Sequence, residues 1–245
     1  MVEISIVIPA YNEANRLPAT VERIIQLISS MNIEYELILV NNASKDGTLE
    51  YMNSFASAHK NINVKVLSTP TKGKGLAVKT GMLSAVGKYV LFTDADLSTP
   101  IEEIEKLLPF VKEDYDVAYG TRAMKESVIV TPQPLHRRLL GTALKVILSF
   151  LIFTLPPRPT DTQCGFKMYK RDAVRLLFSR QTLDGGMFDV EIIYIGRKHH
   201  LMMKEVPVLW ADDSKNSKVN IWKSMITNPA KLVGIRLKDI LGYYR

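Results

Sequence analysis

Five short apolar runs alternate with helical periodicities through the first half of this chain, and that alternation most constrains its fold. The strand-like runs are Ile4 to Ile8, Glu36 to Val40, Val64 to Leu67, Tyr89 to Thr93 and Asp116 to Tyr119. Between them, helical spacing appears over Leu17 to Met31, Thr48 to His59, Gly75 to Val86 and Ile101 to Val111. Strand, helix and strand in succession require a crossover. The pattern therefore predicts an α/β fold, with a mainly parallel, Rossmann-like sheet flanked by helices. With 245 residues the chain can bury a large core as a single domain.

The composition, 47% hydrophobic and 23% charged, is that of an ordinary globular protein. A lone Cys164 excludes an intramolecular disulfide and fits a reducing compartment. The first strand begins by Glu3, so neither a signal peptide nor an N-terminal anchor is expected. Net charge is +7, which favours an anionic partner such as phosphates or an acidic membrane surface. No nucleic-acid partner is expected, because no binding motif or aromatic-interleaved basic stripe occurs. The pattern changes after Arg122. A Pro-punctuated loop leads to the apolar stretch Leu139 to Leu155, flanked by Arg137, Arg138 and Arg158. That stretch is at the short limit for crossing a bilayer, and its flanking charge favours an interfacial element over a buried hairpin or a dimer interface. A homo-oligomer stays open.

The run Tyr89 to Thr93 leads directly into Asp94-Ala95-Asp96. Two carboxylates this close at a strand's C-terminal edge repel one another unless a cation sits beside them. Mg2+ or Mn2+ suits such a pair and leaves positions for substrate phosphates. The bland alternative is a strand end followed by a helix cap near Pro100. Two polar loops, Pro9 to Glu13 and Asn41 to Thr48, share that edge in a doubly wound sheet. Lys72-Gly73-Lys74-Gly75 opens the next helix and has the makings of an anion cradle. One edge thus offers what a nucleotide diphosphate requires.

V-I-P-A-Y-N-E (Val7 to Glu13), N-N-A-S-K-D-G-T (Asn41 to Thr48), G-K-G-L-A-V-K-T-G (Gly73 to Gly81) and D-A-D (Asp94 to Asp96) follow the order of inverting family 2 glycosyltransferases of the GT-A fold. Gly120-Thr121-Arg122, Lys125-Glu126-Ser127, D-T-Q-C-G-F-K (Asp161 to Lys167), Phe188-Asp189-Val190-Glu191, and Trp210 with Ser217-Lys218 closely resemble the dolichyl-phosphate β-glucosyltransferases. The resemblance spans nearly the whole chain. It implies a single GT-A domain with amphipathic or interfacial C-terminal helices: a nucleotide-sugar-binding half (1–121), an acceptor-binding half (122–220, interfacial helices at 135–155) and a basic helix (221–245). The implied reaction is metal-dependent transfer of a hexose with inversion, most simply glucose from UDP-glucose, to dolichyl or polyprenyl phosphate. It would run on the cytoplasmic face of a membrane, with the protein held peripherally.

Carried over residue by residue, the resemblance places the Mg2+ or Mn2+ on Asp96, with Asp94 on the ribose or in the metal's outer shell. Pro9, Tyr11, Glu13 and Asn42 frame the nucleoside, and Lys74 holds the anionic donor. Asp161 is the candidate base, and Arg122, Arg137 and Lys218 grip the acceptor phosphate, Arg through its two-pronged fork. Asp189 and Glu191, opening an amphipathic helix, cap it or orient basic residues. The four histidines have no role, and Met202 and Met203 belong to the core. Three departures stand out. Asn41 and Asn42 replace an acidic pair, leaving the nucleobase open. Ser98 stands where related mannosyltransferases have Gln. The N-terminal membrane helix of eukaryotic relatives is not seen. The alternatives are a GDP-mannose-dependent mannosyltransferase, a sugar-nucleotide pyrophosphorylase and a non-catalytic nucleotide-sugar scaffold.

Overall fold

The computed structural model describes residues 2–131, 152–153, 156, 158–211 and 221–245, the side chains of 131 and 221–229 excepted. In chain order its elements are β1 (Ile4–Ala10), α1 (Leu17–Ser30), β2 (Tyr35–Asn41), α2 (Thr48–Ala58), β3 (Asn63–Ser68), α3 (Lys74–Ser84) and β4 (Tyr89–Thr93). A 3-10 turn (Ile101–Glu103) then runs into α4 (Ile104–Lys112), followed by β5 (Val117–Thr121), β6 (Val128–Thr131), β7 (Phe166–Lys170), α5 (Arg171–Arg180) and α6 (Phe188–Lys198). The chain closes with β8 (Met203–Pro207), β9 (Leu209–Ala211) and α7 (Ile221–Ile240). Seven strands form one sheet in the order β3-β2-β1-β4-β7-β5-β8, and β6 pairs with β9 in a separate ribbon.

The expected parallel core is present. β3, β2, β1 and β4 run parallel, with Val7 opposite Phe92 and Ala10 opposite Asn41. The period-2 pattern of β1 divides the core. Ile4, Ile6 and Ile8 pack with Leu17, Val21 and Ile24 of α1, while Val7 packs on the other face with Ala77 and Val78 of α3. The chain moves outward from β1 to β3, then returns to place β4 on β1's other side. Such a reversal opens a crevice at the strands' C-terminal ends, between the β1 loop and Asp94–Asp96.

β7 has no counterpart in the sequence reading. It inserts antiparallel between β4 and β5, with Thr93 opposite Phe166 and Tyr119 opposite Lys167. Lys167 breaks the apolar run, yet it is 1% exposed because Asp189 lies against its ammonium. α6 also corrects its expectation: every residue from Phe188 to Gly196 is buried, so the helix is enclosed rather than amphipathic. Met202 is another correction, since it is exposed at a loop while Met203 packs on the core. Of Leu139 to Leu155, only Ile152 and Phe153 are described, and both are buried in protein. Arg137, Arg138 and Lys218 lie outside the described residues. Among the described residues no helix is long and apolar enough to cross a membrane.

Candidate active site

The two loops beside the crevice brace each other. Asn12, at φ 55°, receives the Lys45 N–H on Oδ1 at 2.8 Å and donates its own N–H to Ser44 Oγ at 3.0 Å. The Glu13 N–H donates to Thr48 Oγ1 at 2.8 Å. Four residues expected around the nucleoside now have positions. Pro9 is enclosed within β1. Tyr11 stands at the crevice with Lys72 Nζ 3.6 Å from its ring centroid, a cation–π contact. The Glu13 carboxylate accepts from Arg16 Nε and Nη2 at 2.8 and 2.9 Å, so it closes a local ion pair. Asn42 is buried, and its amide oxygen accepts the Gly73 N–H at 2.7 Å. This bond ties the β2 loop to the start of α3.

The expected glycine cradle works differently from its reading. A methyl on Gly73 would stand 2.7 Å from Asp184 O, and one on Gly75 would stand 2.5 Å from Leu183 O. These glycines admit the 183–184 backbone, which sets the helix start and hence Lys74. Lys74 Nζ pairs with Asp94 Oδ1 at 2.7 Å and lies 5.6 Å from the Phe92 ring. Asp94, Asp189 and Asp96 together push the Lys74 ammonium to a higher pKa despite the cost of enclosing it. For Asp94, enclosure is the larger influence, and with Asp96 and Asp189 it raises the carboxyl above its usual range although Lys74 pulls the other way. Asp96 is exposed, and Oδ1 accepts the Ser98 N–H at 2.9 Å. Lys167 donates to Cys164 O at 2.6 Å as well as to Asp189. Two ammonium groups thus face three carboxylates, leaving one negative charge over.

A second cluster forms around Asp161. Its Oδ2 accepts Arg122 Nε at 2.6 Å and Arg122 N–H at 3.1 Å, while Oδ1 accepts Arg122 Nη2 at 2.9 Å and Gln163 N–H at 3.1 Å. Burial alone would raise the Asp161 carboxyl, but the Arg122 hydrogen bonds and charge outweigh it and hold it at about 2. A carboxylate so satisfied is a weak proton acceptor; its contacts instead fix the Arg122 guanidinium, which lies 5.2 Å from the Trp210 ring. Glu205 holds the segment from below, accepting the Thr160 and Asp161 N–H groups at 2.8 and 3.2 Å. Cys164 is buried beside Thr99, and enclosure pushes its thiol up to about 11, so it is inert packing.

The segment Asp161 to Lys167 joins the two clusters. Asp161 holds Arg122, Cys164 O receives Lys167, and Gly165 O accepts the Asp94 N–H at 3.1 Å. A methyl on Gly165 would stand only 1.9 Å from Asp94 Oδ2, so only glycine lets the carboxylate lie there. The sequence profile described as Glycosyl transferase family 2 matches residues 5–178, which contain both clusters apart from Asp189, Glu205 and Trp210. This chain belongs to glycosyl transferase family 2. It is a glycosyltransferase of the GT-A fold, and the pyrophosphorylase alternative falls with that assignment. A dolichyl-phosphate β-glucosyltransferase of Drosophila melanogaster is 32% identical, the match covering 99% of this chain and 77% of that protein. One of Dictyostelium discoideum is 30% identical, covering 99% and 76%. Glucosyl-3-phosphoglycerate synthase from Mycobacterium tuberculosis, solved with Mn2+, UDP and phosphoglyceric acid, superposes with a TM-score of 0.65 at 17% identity, covering 97% of this chain and 78% of that one.

Sequence reasoning on this glycosyltransferase named Asp94, Asp96, Lys74, Asp161 and Arg122, and the structure places them along one edge. It assigns no role to Lys167, Gly165 or Glu205, and it reads Lys72 only as part of the anion cradle. The signal for Lys167 was a charge within an otherwise apolar strand, which demands a buried acid nearby.

Proposed function

We propose that this glycosyltransferase moves glucose from UDP-glucose onto dolichyl or polyprenyl phosphate, with inversion, at the cytoplasmic surface of a membrane. The observation that carries the reading is the Asp161–Lys167 segment, which welds a carboxylate-and-lysine site to an oriented arginine. Two anionic substrates must meet, and each cluster suits one of them. The similarity to dolichyl-phosphate β-glucosyltransferases supports the lipid phosphate and the glucose, and the fold neighbour holding UDP supports the nucleotide.

The residues fit a divalent cation of the kind the fold implies. Such ions need one or two carboxylates plus substrate phosphates rather than a protein cage, and no group of three or more ligands exists among the described residues. Exposed Asp96 would hold Mg2+ or Mn2+, with Asp94 in the outer shell or on the ribose. When bound, the cation neutralises the charge that develops on the departing diphosphate. Lys74 and Lys72 steady the donor, and Lys72 over Tyr11 lines the nucleoside side of the crevice.

Arg122 presents the acceptor phosphate. A phosphate monoester with its second pKa near ~6 is already an oxyanion at neutral pH, so no side chain need remove a proton. One phosphate oxygen forms the new bond to the anomeric carbon as the bond to UDP breaks, which inverts that centre in one step. Asp161 acts as the positioning group that keeps Arg122 aimed. A donor screen with Mn2+ and a short polyprenyl phosphate tests the reading, with product mass and anomeric configuration as readouts. The β-glucosyl lipid from UDP-glucose alone is expected. Preference for GDP-mannose, or an α product, overturns the sugar or the stereochemistry.

A further inference from the structure

Helix α7 has two unlike sides. Leu232 and Ile235 are fully buried, and beyond the helix end Tyr244 is buried with its hydroxyl donated to Glu191 at 2.6 Å. Lys238 donates to Thr182 Oγ1 at 2.7 Å, and Asp239 pairs with Lys198. The helix is therefore seated already. Its other side is apolar and bare: Val233, Leu237, Ile240 and Leu241 are 47, 55, 75 and 73% exposed. Spacing of i, i+4, i+7 and i+8 places these four on a single stripe. Tyr243, 61% exposed, continues the bare surface beyond the helix.

Charge decides what covers this stripe. Residues 221–245 carry Lys223, Lys231, Arg236, Lys238 and Arg245 against Asp239 alone, a net of +4. The one acid is neutralised by Lys198. A second copy meeting this face across a two-fold axis would bring two such segments together, which is unfavourable. Arg236 and Lys238 themselves donate to Tyr194 and Thr182, so it is the net positive charge of the whole segment that fits an acidic bilayer, with the apolar side chains entering the headgroup boundary. Ile152 and Phe153, from the other apolar stretch, are turned into the protein.

We infer that the outer stripe of α7, formed by Val233, Leu237, Ile240 and Leu241, docks this protein onto an anionic lipid bilayer. The choice of occupant rests on the proposed lipid-linked acceptor, but the test does not. Vesicles of phosphatidylcholine, with and without phosphatidylglycerol and free of polyprenyl phosphate, report binding at the surface alone. Wild type is expected to sediment with the anionic vesicles, less with the neutral ones, and less as salt rises. Replacing Leu237, Ile240 and Leu241 together by Ser should cut partitioning by at least about tenfold. Melting temperature and transfer to a short, water-soluble polyprenyl phosphate should stay unchanged. If the triple variant misfolds, Ile240→Ser alone should weaken binding by roughly threefold. The inference is overturned if wild type ignores anionic vesicles at low salt, or if the folded triple variant binds as wild type does. It is equally overturned if the substitutions split a dimer into monomers while vesicle binding persists, which would assign the stripe to a second copy. Failure of transfer to the soluble acceptor would strike the proposed reaction and leave the docking surface standing.

Discussion

Asp94 and Asp161 flank the same short segment and each touches a cation, yet their carboxyls are pushed in opposite directions. Asp94 has enclosure and two neighbouring carboxylates against one lysine, and it is raised. Asp161 has a guanidinium fork and two backbone N–H groups, and it is lowered to about 2. The first site sets three carboxylates against two lysines, an imbalance that the proposed divalent cation would offset. The second is complete, and its product is an arginine with one orientation. The contrast separates a place built to exchange partners from a place built to hold still.

The hardest blow to the exchanging side is Asp96→Ala. Its carboxylate is exposed and accepts only the Ser98 N–H among described residues, so the fold should survive. Loss of metal-assisted charge stabilisation worth several kcal/mol should lower kcat/KM by at least about a thousandfold. Turnover within a few-fold of wild type in metal-replete buffer would remove Asp96 from the site.

On the fixed side, Arg122→Lys is the informative change. An ammonium keeps the charge but loses the fork, so Asp161 is held by one prong and the phosphate contact loosens. The apparent KM for polyprenyl phosphate should rise by about a hundredfold, while titration calorimetry with UDP and Mn2+ should show donor affinity nearly unchanged. Donor binding lost in step with activity would place Arg122 on the diphosphate instead. The companion Lys218→Ala should behave likewise.

What the sequence made legible follows the same division. The five strands and four helices of the first half stand within about three residues of their expected positions, because short apolar-rich runs alternate there with helical periodicity. Lys74, Asp94 and Asp96 were legible as candidates because Lys74 opens a helix and the two carboxylates follow a buried strand. The fork between Arg122 and Asp161 spans 39 residues, and the two were read as separate agents, a phosphate grip and a base. β7 was missed because its second residue, Lys167, is tolerable only with Asp189, which lies 22 residues onward. Glu13 and Asn42 were read toward the ligand, and only coordinates reveal Arg16 and Gly73 as their partners.

Gly165→Ala tests the weld between the clusters. Its methyl would sit 1.9 Å from Asp94 Oδ2, so the carboxylate must swing away or β7 must shift. Donor KM should rise by roughly tenfold, since the Lys74–Asp94 pair is disturbed without removing either charge. The acceptor KM should change far less, because the Asp161 hydrogen bonds lie on the other side. Equal damage to both would show that the segment moves as one body and that the two clusters are not separable.

The smallest expected effect is thermodynamic, and it isolates the fixed cluster from catalysis. Asp161 titrates at about 2 in the folded protein, below the ordinary Asp value of about 3.9. A lowered carboxyl contributes its full stability above the unfolded value and loses it as pH falls toward the folded one. The ion pair should therefore stabilise the fold by ~2 kcal/mol near neutrality, with about half of that gone by about pH 3. Denaturant unfolding between about pH 6 and pH 3 should show this loss in wild type. Asp161→Asn should be less stable at neutral pH, since the Arg122 charge loses its buried partner. It should lack that acid-side loss, so the two stability curves converge as pH falls. Parallel curves would mean that Asp161 is not ionised against Arg122 in the folded state, and the fixed arm of the comparison would fail.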